Sequence, residues 1–379
     1  MLRKTVKLFI ALLLLLCLTP ASPALAENAA DPAAPAVDLT AARTAALTAL
    51  DGHIADLRDN YCAYYTEQEY QLMLEEYAGS FGGVGVSMIQ EDGYIVVYKV
   101  LDQGPAKDSP IAVGDRIIAV DGESIVGFDT DQAAARIRGE IGTAVTLTLL
   151  DAADSEYEIT LVRQEITTES VEAERIEESE NTAYFLIYSF TGRTVEEFST
   201  AYNRLRQEGP IDWIILDLRS DMGGNFYAAL GLAEFFVPAR EVVVREKLAG
   251  TETSYTSSSG MLRGTGLVVL ENRWTASASE VLAGALRDEA GATLIGTTSF
   301  GKGITQVIDP LPSGGAWKYT HSRYFTPSGF DLHGVGLAPD IEVADPEDIS
   351  SDDYFSTDPA LDPHLAAALE FIASTADGH

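Results

Sequence analysis

The chain of 379 residues is poor in sulfur and in positive charge, with two Cys, five Met, and 25 Lys and Arg against 58 Asp and Glu. Cys17 falls inside a leader-like N-terminus, so Cys62 would stand alone in the mature chain. That excludes an internal disulfide and a cysteine-based metal site. The net charge of −33 becomes −36 when the three basic residues of the leader, Arg3, Lys4 and Lys7, are removed. So acidic a surface repels phosphates, which makes nucleic acid and anionic membranes poor partners. His53, His321, His333, His364 and His379 form no H-E-x-x-H or similar pair, so no metal and no other cofactor is expected. Long apolar runs are also scarce. The single one, of about 13 residues within "KLFIALLLLLCLTP", has signal-peptide length and is too short to span a bilayer. With Ala24-Leu25-Ala26 as a small-x-small cleavage pattern, residues 1–26 read as a signal peptide. The expected protein is exported, in a periplasm, a cell-wall space or the medium, and tethered to a membrane if the signal stays uncleaved.

What remains is long enough for two or three domains with a large core, since 46% of the residues are hydrophobic. Residues 27–38 form an Ala/Pro-rich linker with little to bury. Residues 39–78 read as helical, and Thr66 with Glu69 have capping-box spacing. From 79 to 166 the texture is short strands and turns, with a helix over 131–138, as in a small β-barrel. From 167 to 345 buried strands such as "WIILDL", "TGLVVL" and "ATLIG" alternate with amphipathic helices, which predicts βαβ units, a largely parallel sheet and ligands at the strand ends. Residues 346–379 form an acidic segment that ends in a helix. The fold class is therefore multidomain α+β and α/β. The terminal helices are also candidate elements for a homodimer, although their apolar faces can equally pack within one chain.

Three stretches of the α/β part can carry chemistry. In "NRWTASASEVLAGAL", Ser277 and Glu280 fit the S-x-x-E capping box at a strand-to-helix turn, a position that suits either a cap or a nucleophile. In "TTSFGKGITQ", Gly301-Lys302-Gly303 holds a lysine on a turn in an apolar neighbourhood. Burial would favour its neutral form, which can act as the base for a serine; an exposed lysine or a phosphate contact are the other readings. In "LDLRSDMGGNF", paired glycines at a helix start let backbone amides approach an anion, or merely make a connection. A Ser-His-Asp triad through His321 or His333 stays open, because triads assemble in space.

Taken together, "LDLRSDMGG", "ENRWTASASEVLAGALRDEAGATLIGTTSFGKGITQ" and "YFTPSGFDLHGVGLAPDIEV" closely resemble the C-terminal processing (tail-specific) peptidases. These are secreted serine proteases with a Ser-Lys pair and an N-terminal PDZ domain, and the likeness runs over roughly residues 45–345. It implies Ser277 as nucleophile, Lys302 as general base, Gln306 as the residue orienting that lysine, and the amides of Gly223 and Ala278 as oxyanion donors. Ser279 and Glu280 then serve the helix start. Asp221-Met222 stands where the family often has Asn-Pro, and Trp274 where it usually has glycine.

"FGGVGVSMI" resembles the carboxylate-binding loop of PDZ domains. Amides at Gly83, Val84 and Gly85 would hold a peptide C-terminus while the strand from Val86 pairs with its backbone. The resemblance implies that Arg138, or Arg136, senses an occupied groove and contacts the protease core; a plain surface arginine is the other reading. The resemblance thus implies an endopeptidase that takes protein or peptide substrates by their C-termini. A catalytically silent PDZ adaptor and a Ser-Lys hydrolase of a non-peptide substrate are the alternatives.

Overall fold

The computed structural model describes residues 61–179, 181–312, 314–346 and 355–376. The expected signal peptide, the linker and the first part of the N-terminal helical region lie outside the described residues. The described chain opens with β1 (Ala63–Tyr65) and α1 (Glu67–Ala78). The predicted capping box is present. Thr66 donates its N–H to Glu69 Oε2 at 2.7 Å, and Glu69 N–H returns to Thr66 Oγ1 at 3.3 Å. The helix stops at Gly79 in a left-handed conformation.

The next strands are β2 (Ser80–Gly83), β3 (Val86–Glu91), β4 (Tyr94–Val100), β5 (Arg116–Val120) and β6 (Glu123–Ser124). Helix α2 (Thr130–Ile137) precedes β7 (Ala144–Leu150), β8 (Glu156–Val162) and β9 (Gln164–Thr167). Strands 3, 4, 5, 7 and 8 form an antiparallel sheet in the order β3-β4-β5-β7-β8, and β2 pairs with β9. Helix α2 is held at its start by reciprocal Asp129–Gln132 bonds. It buries Ala133 and Ile137 against Ile95, Val97, Ile117 and Leu147, so the β-rich region has its own core.

The remaining elements build the α/β part. They are β10 (Val171–Arg175), β11 (Thr182–Ile187), α3 (Thr194–Glu208), β12 (Trp213–Asp217), α4 (Phe226–Ala233), β13 (Val242–Leu248) and β14 (Thr251–Thr256). Then come β15 (Gly266–Glu271), α5 (Ala278–Ala290), β16 (Thr293–Gly296), β17 (Ile304–Pro310), β18 (Ala316–Phe325), β19 (Ile341–Glu342) and α6 (Pro363–Ala376). A six-stranded sheet runs β10-β11-β12-β15-β16-β19, parallel throughout except for β10. Strand alternation sorts its side chains into two layers. Phe185, Ile214, Leu216, Leu267 and Val269 pack with Phe198, Leu232 and Leu282 of α3, α4 and α5. Tyr184, Leu186, Ile215, Val268 and Leu270 pack with Leu365, Ala368 and Ile372 of α6.

A second sheet was not foreseen from the sequence. It is antiparallel, in the order β1-β18-β13-β14 with β17 on β18. Strands such as β14, "TETSYT", are largely exposed and lack the apolar alternation that marks a half-buried strand. This sheet carries Gln306 on β17 and Tyr324 on β18.

At the end of β12 a wholly buried ionic cluster anchors α6. Arg219 donates to Asp217 through Nε and Nη2 and to Asp362 through Nη1 and Nη2, at 2.5–3.0 Å. Burial works against the guanidinium charge, but Asp217 and then Asp362 outweigh it and raise the arginine pKa further. His364 accepts from Arg219 at Nδ1 (3.2 Å) and donates from Nε2 to the Val343 carbonyl (3.1 Å). Burial and the neighbouring Arg219 lower its pKa, which agrees with a neutral ring. Asp362→Ala would take a carboxylate partner from the buried Arg219. The expected cost is about 3–5 kcal/mol in denaturant-induced unfolding.

Candidate active site

Ser277 ends the connection from β15 to α5, in a backbone conformation with φ 59° and ψ −115°. Few residues other than glycine accept positive φ, and such strain at a strand-to-helix turn exposes a side chain at the sheet's edge. Its N–H donates to Glu280 Oε2 at 2.9 Å, the carboxylate half of the capping box read from the sequence.

The carboxylate of Glu280 does more than cap. The same Oε2 accepts the Lys302 N–H at 2.8 Å, while Oε1 accepts the Gly301 N–H at 2.7 Å and the Ser299 hydroxyl at 2.5 Å. One oxygen therefore fastens the serine turn to the lysine loop. Tyr324 makes a second fastening, since its hydroxyl meets the carbonyl of Ser277 at 2.8 Å and that of Lys302. A third bond joins Phe300 N–H to the Thr275 carbonyl at 2.9 Å. Ser277 and Lys302, 25 positions apart, are thereby brought together at the backbone. Burial raises the pKa of Glu280, opposed by the bonds from Ser299, Lys302, Gly301 and Ser277.

Lys302 is half-buried, and burial lowers its pKa first, with the positive charge of Lys318 adding to the effect and Glu280 opposing it. Its ammonium nitrogen lies 5.6 Å from the centroid of the Tyr61 ring. Gln306 donates to the Tyr61 carbonyl at 2.7 Å, so the glutamine and the lysine are linked by way of Tyr61. The Tyr61 ring also lies 6.2 Å from that of His333, which backs onto Gly303. His321 lies exposed on β18.

Gly223 has φ 97°, and a Cβ built there would come to 2.8 Å from Ala278 N and 2.9 Å from Ser277 Cβ. The glycine is what allows the "MGG" turn to press against the serine. The turn is held by Phe190 N–H on the Gly223 carbonyl (3.0 Å) and by Gly223 N–H on Asp221 Oδ1 (2.8 Å). The neighbouring Met222 is free of that framework and 69% exposed. Trp274 and Phe300 also stand exposed on the loops that carry the serine and the lysine. The roles of Glu280 as tie, Tyr324 as bridge and Asp221 as partner of Gly223 have no local signature, apart from the capping spacing of Glu280.

In the β-rich domain, β3 is an edge strand paired only with β4, and α2 packs beside it. Gly85 takes φ 83° in close contact with the Gln103 carbonyl, where a side chain would clash. Val84 is buried in the domain core, and Val86 packs partly against it. Gly139, just after α2, donates to the Gly82 carbonyl at 3.0 Å, joining the loop to the helix end. Arg138 stacks over the Phe81 ring at 4.0 Å and pairs with Glu75 of α1 at 3.5 Å, while Arg136 pairs with Glu123. Neither arginine is engaged with the serine or lysine loops in these contacts.

Residues 181–343 match peptidase family S41 and residues 71–150 match the PDZ domain. A probable CtpA-like serine protease of Staphylococcus haemolyticus is 35% identical over 302 residues, covering 79% of this chain and 60% of its own. The carboxy-terminal-processing protease of Bartonella bacilliformis is 34% identical over 304 residues, covering 79% of this chain and 69% of its own. A putative S41 protease of Bacteroides fragilis, 14% identical with a TM-score of 0.50 over 87% of this chain and 90% of that one, shares the fold. A PDZ domain followed by an alternating α/β core with a serine at a helix start defines the class, and the chain belongs to peptidase family S41. It spans only about 60% of the length of the staphylococcal relative.

Proposed function

We propose that the protein is an exported serine endopeptidase that selects substrates by their C-termini and cleaves them through a Ser-Lys acyl-enzyme. The observation that carries this reading is the Glu280 carboxylate, which holds the amides of Ser277 and Lys302 on one oxygen. In the proposed reaction, neutral Lys302 accepts the Ser277 proton as the hydroxyl oxygen attacks the peptide carbonyl. The amides of Gly223 and Ala278 stabilise the developing oxyanion, and the start of α5 favours the same charge. Lys302 then returns the proton to the leaving amine, and water releases the acyl group. Gln306 acts on the lysine from the side of Tyr61, as a positioning residue.

The edge of β3 and the loop from Gly83 to Val86 would receive the substrate tail as an added strand. The exposed Met222, Trp274 and Phe300 fit an unfolded chain with apolar residues near the scissile bond. Export rests on the N-terminal leader; no helix among the described residues is long and apolar enough to cross a membrane. The test uses one unfolded substrate with a free or an amidated C-terminus. A free C-terminus is expected to give at least about tenfold higher kcat/KM, with products identified by mass. Equal rates for the two forms would remove the tail-recognition part of the proposal.

A further inference from the structure

Asp221 is wholly buried beside the serine turn, and its side chain is directed at the amide that the proposed reaction needs. Its Oδ1 accepts the Gly223 N–H at 2.8 Å, while Oδ2 is buried with no hydrogen-bond partner. Its main-chain carbonyl accepts the Ala276 N–H at 3.0 Å and the Ser279 hydroxyl at 3.0 Å, so the residue is fixed from both sides of Ser277. The close approach of Gly223 to Ser277 and Ala278 places the amide that this carboxyl group holds beside the serine turn.

The two protonation states have opposite consequences there. An ionised carboxylate would keep the Gly223 amide in a charge-assisted bond and would place negative charge beside the developing oxyanion. A protonated carboxyl leaves a weaker neutral bond that an oxyanion can displace, and its O–H is a further donor. We infer that Asp221 is a proton-controlled gate on the oxyanion site, which must be protonated for Gly223 to yield its amide to the substrate. The inference rests on the reading of Gly223 as an oxyanion donor.

Burial pushes the Asp221 carboxyl up to about 8, against the bond from the Gly223 amide. Of the charged groups on the adjoining segments, Arg219 is bound to Asp217 and Asp362, and Glu280 to the serine and lysine amides. Lys302 has the opposite effect on activity as pH rises, since the reaction needs it neutral. The gate is therefore open at neutral pH and closes as pH rises through about 8.

The experiment is the pH profile of kcat/KM for a peptide substrate, in the full chain and in Asp221→Asn, with folding checked by thermal melts at each pH. The wild-type protein should lose activity above about pH 8, approaching tenfold per pH unit. In Asp221→Asn, which cannot ionise, the ratio of kcat/KM at high pH to that at neutral pH should rise at least about tenfold. A second variant, Asp221→Ala, likewise cannot ionise, so it too should lack the falling limb. It serves if Asp221→Asn does not fold. A wild-type profile without the falling limb would overturn the gate, as would an unchanged limb in Asp221→Asn or in Asp221→Ala. Activity that survives Ser277→Ala at neutral pH would instead overturn the underlying Ser-Lys reading, so the two failures are distinguishable.

Discussion

Ser277→Ala is expected to lower peptide hydrolysis by about 10⁴–10⁶-fold, while a fluorescent C-terminal peptide still binds. The physical reason is local. The alanine keeps the main chain at position 277, hence its N–H bond to Glu280 and the Tyr324 bond to its carbonyl, and removes only the hydroxyl oxygen. Melting temperature should change little, because the fastenings of the turn to the lysine loop are main-chain bonds and Glu280 contacts. Intact hydrolysis in the variant would move the nucleophile, with Ser279 next in line. That alternative meets an obstacle in the structure, since Ser279 is wholly buried and donates to the Asp221 carbonyl. A small-ester assay beside the peptide assay also separates a peptidase from a hydrolase of other acyl compounds, and loss of both with tail binding retained would exclude the silent adaptor.

Lys302→Met should cost at least about 10²–10⁴-fold in kcat and abolish the rising limb of the pH profile. Methionine keeps an unbranched chain of similar length in the half-buried site, so the test isolates the amine. The sign follows from the role. A base must be neutral to take the serine proton, and burial with Lys318 lowers the lysine pKa, so activity in the wild-type protein rises with pH through that lowered value. Lys318→Met should move the rising limb to higher pH, because it removes a positive neighbour that favours the neutral amine. A Lys302→Met enzyme that keeps most of its activity would point instead to a histidine, and among the described residues His333, packed against Gly303, lies near the lysine loop.

Much of the scaffold is legible in the sequence. The parallel strands announce themselves as apolar runs, since both faces of "FLI", "IIL" and "LVVL" are covered by helices. Capping pairs Thr66–Glu69 and Ser277–Glu280 placed two helix starts, because a cap is a contact between residues three apart. The antiparallel sheet of β13, β14, β17 and β18 was missed for the converse reason. Its strands mix apolar and polar residues without a clean alternation and are fixed by cross-strand partners far away in sequence, such as Arg245 with Phe325.

By itself the sequence determined the order of the parts, the helix starts, the serine on a strand-to-helix turn, and a lysine between two glycines. Each of these depends on residues within a few positions of one another. Only the tertiary structure decided that Glu280 and Tyr324 bind both the serine turn and the lysine loop, and that Asp221 holds the Gly223 amide. It also decided that α6 docks on the sheet through Asp362 and Arg219. A buried carboxylate bonds whichever donors the fold brings to it, and composition and spacing carry no record of which those will be.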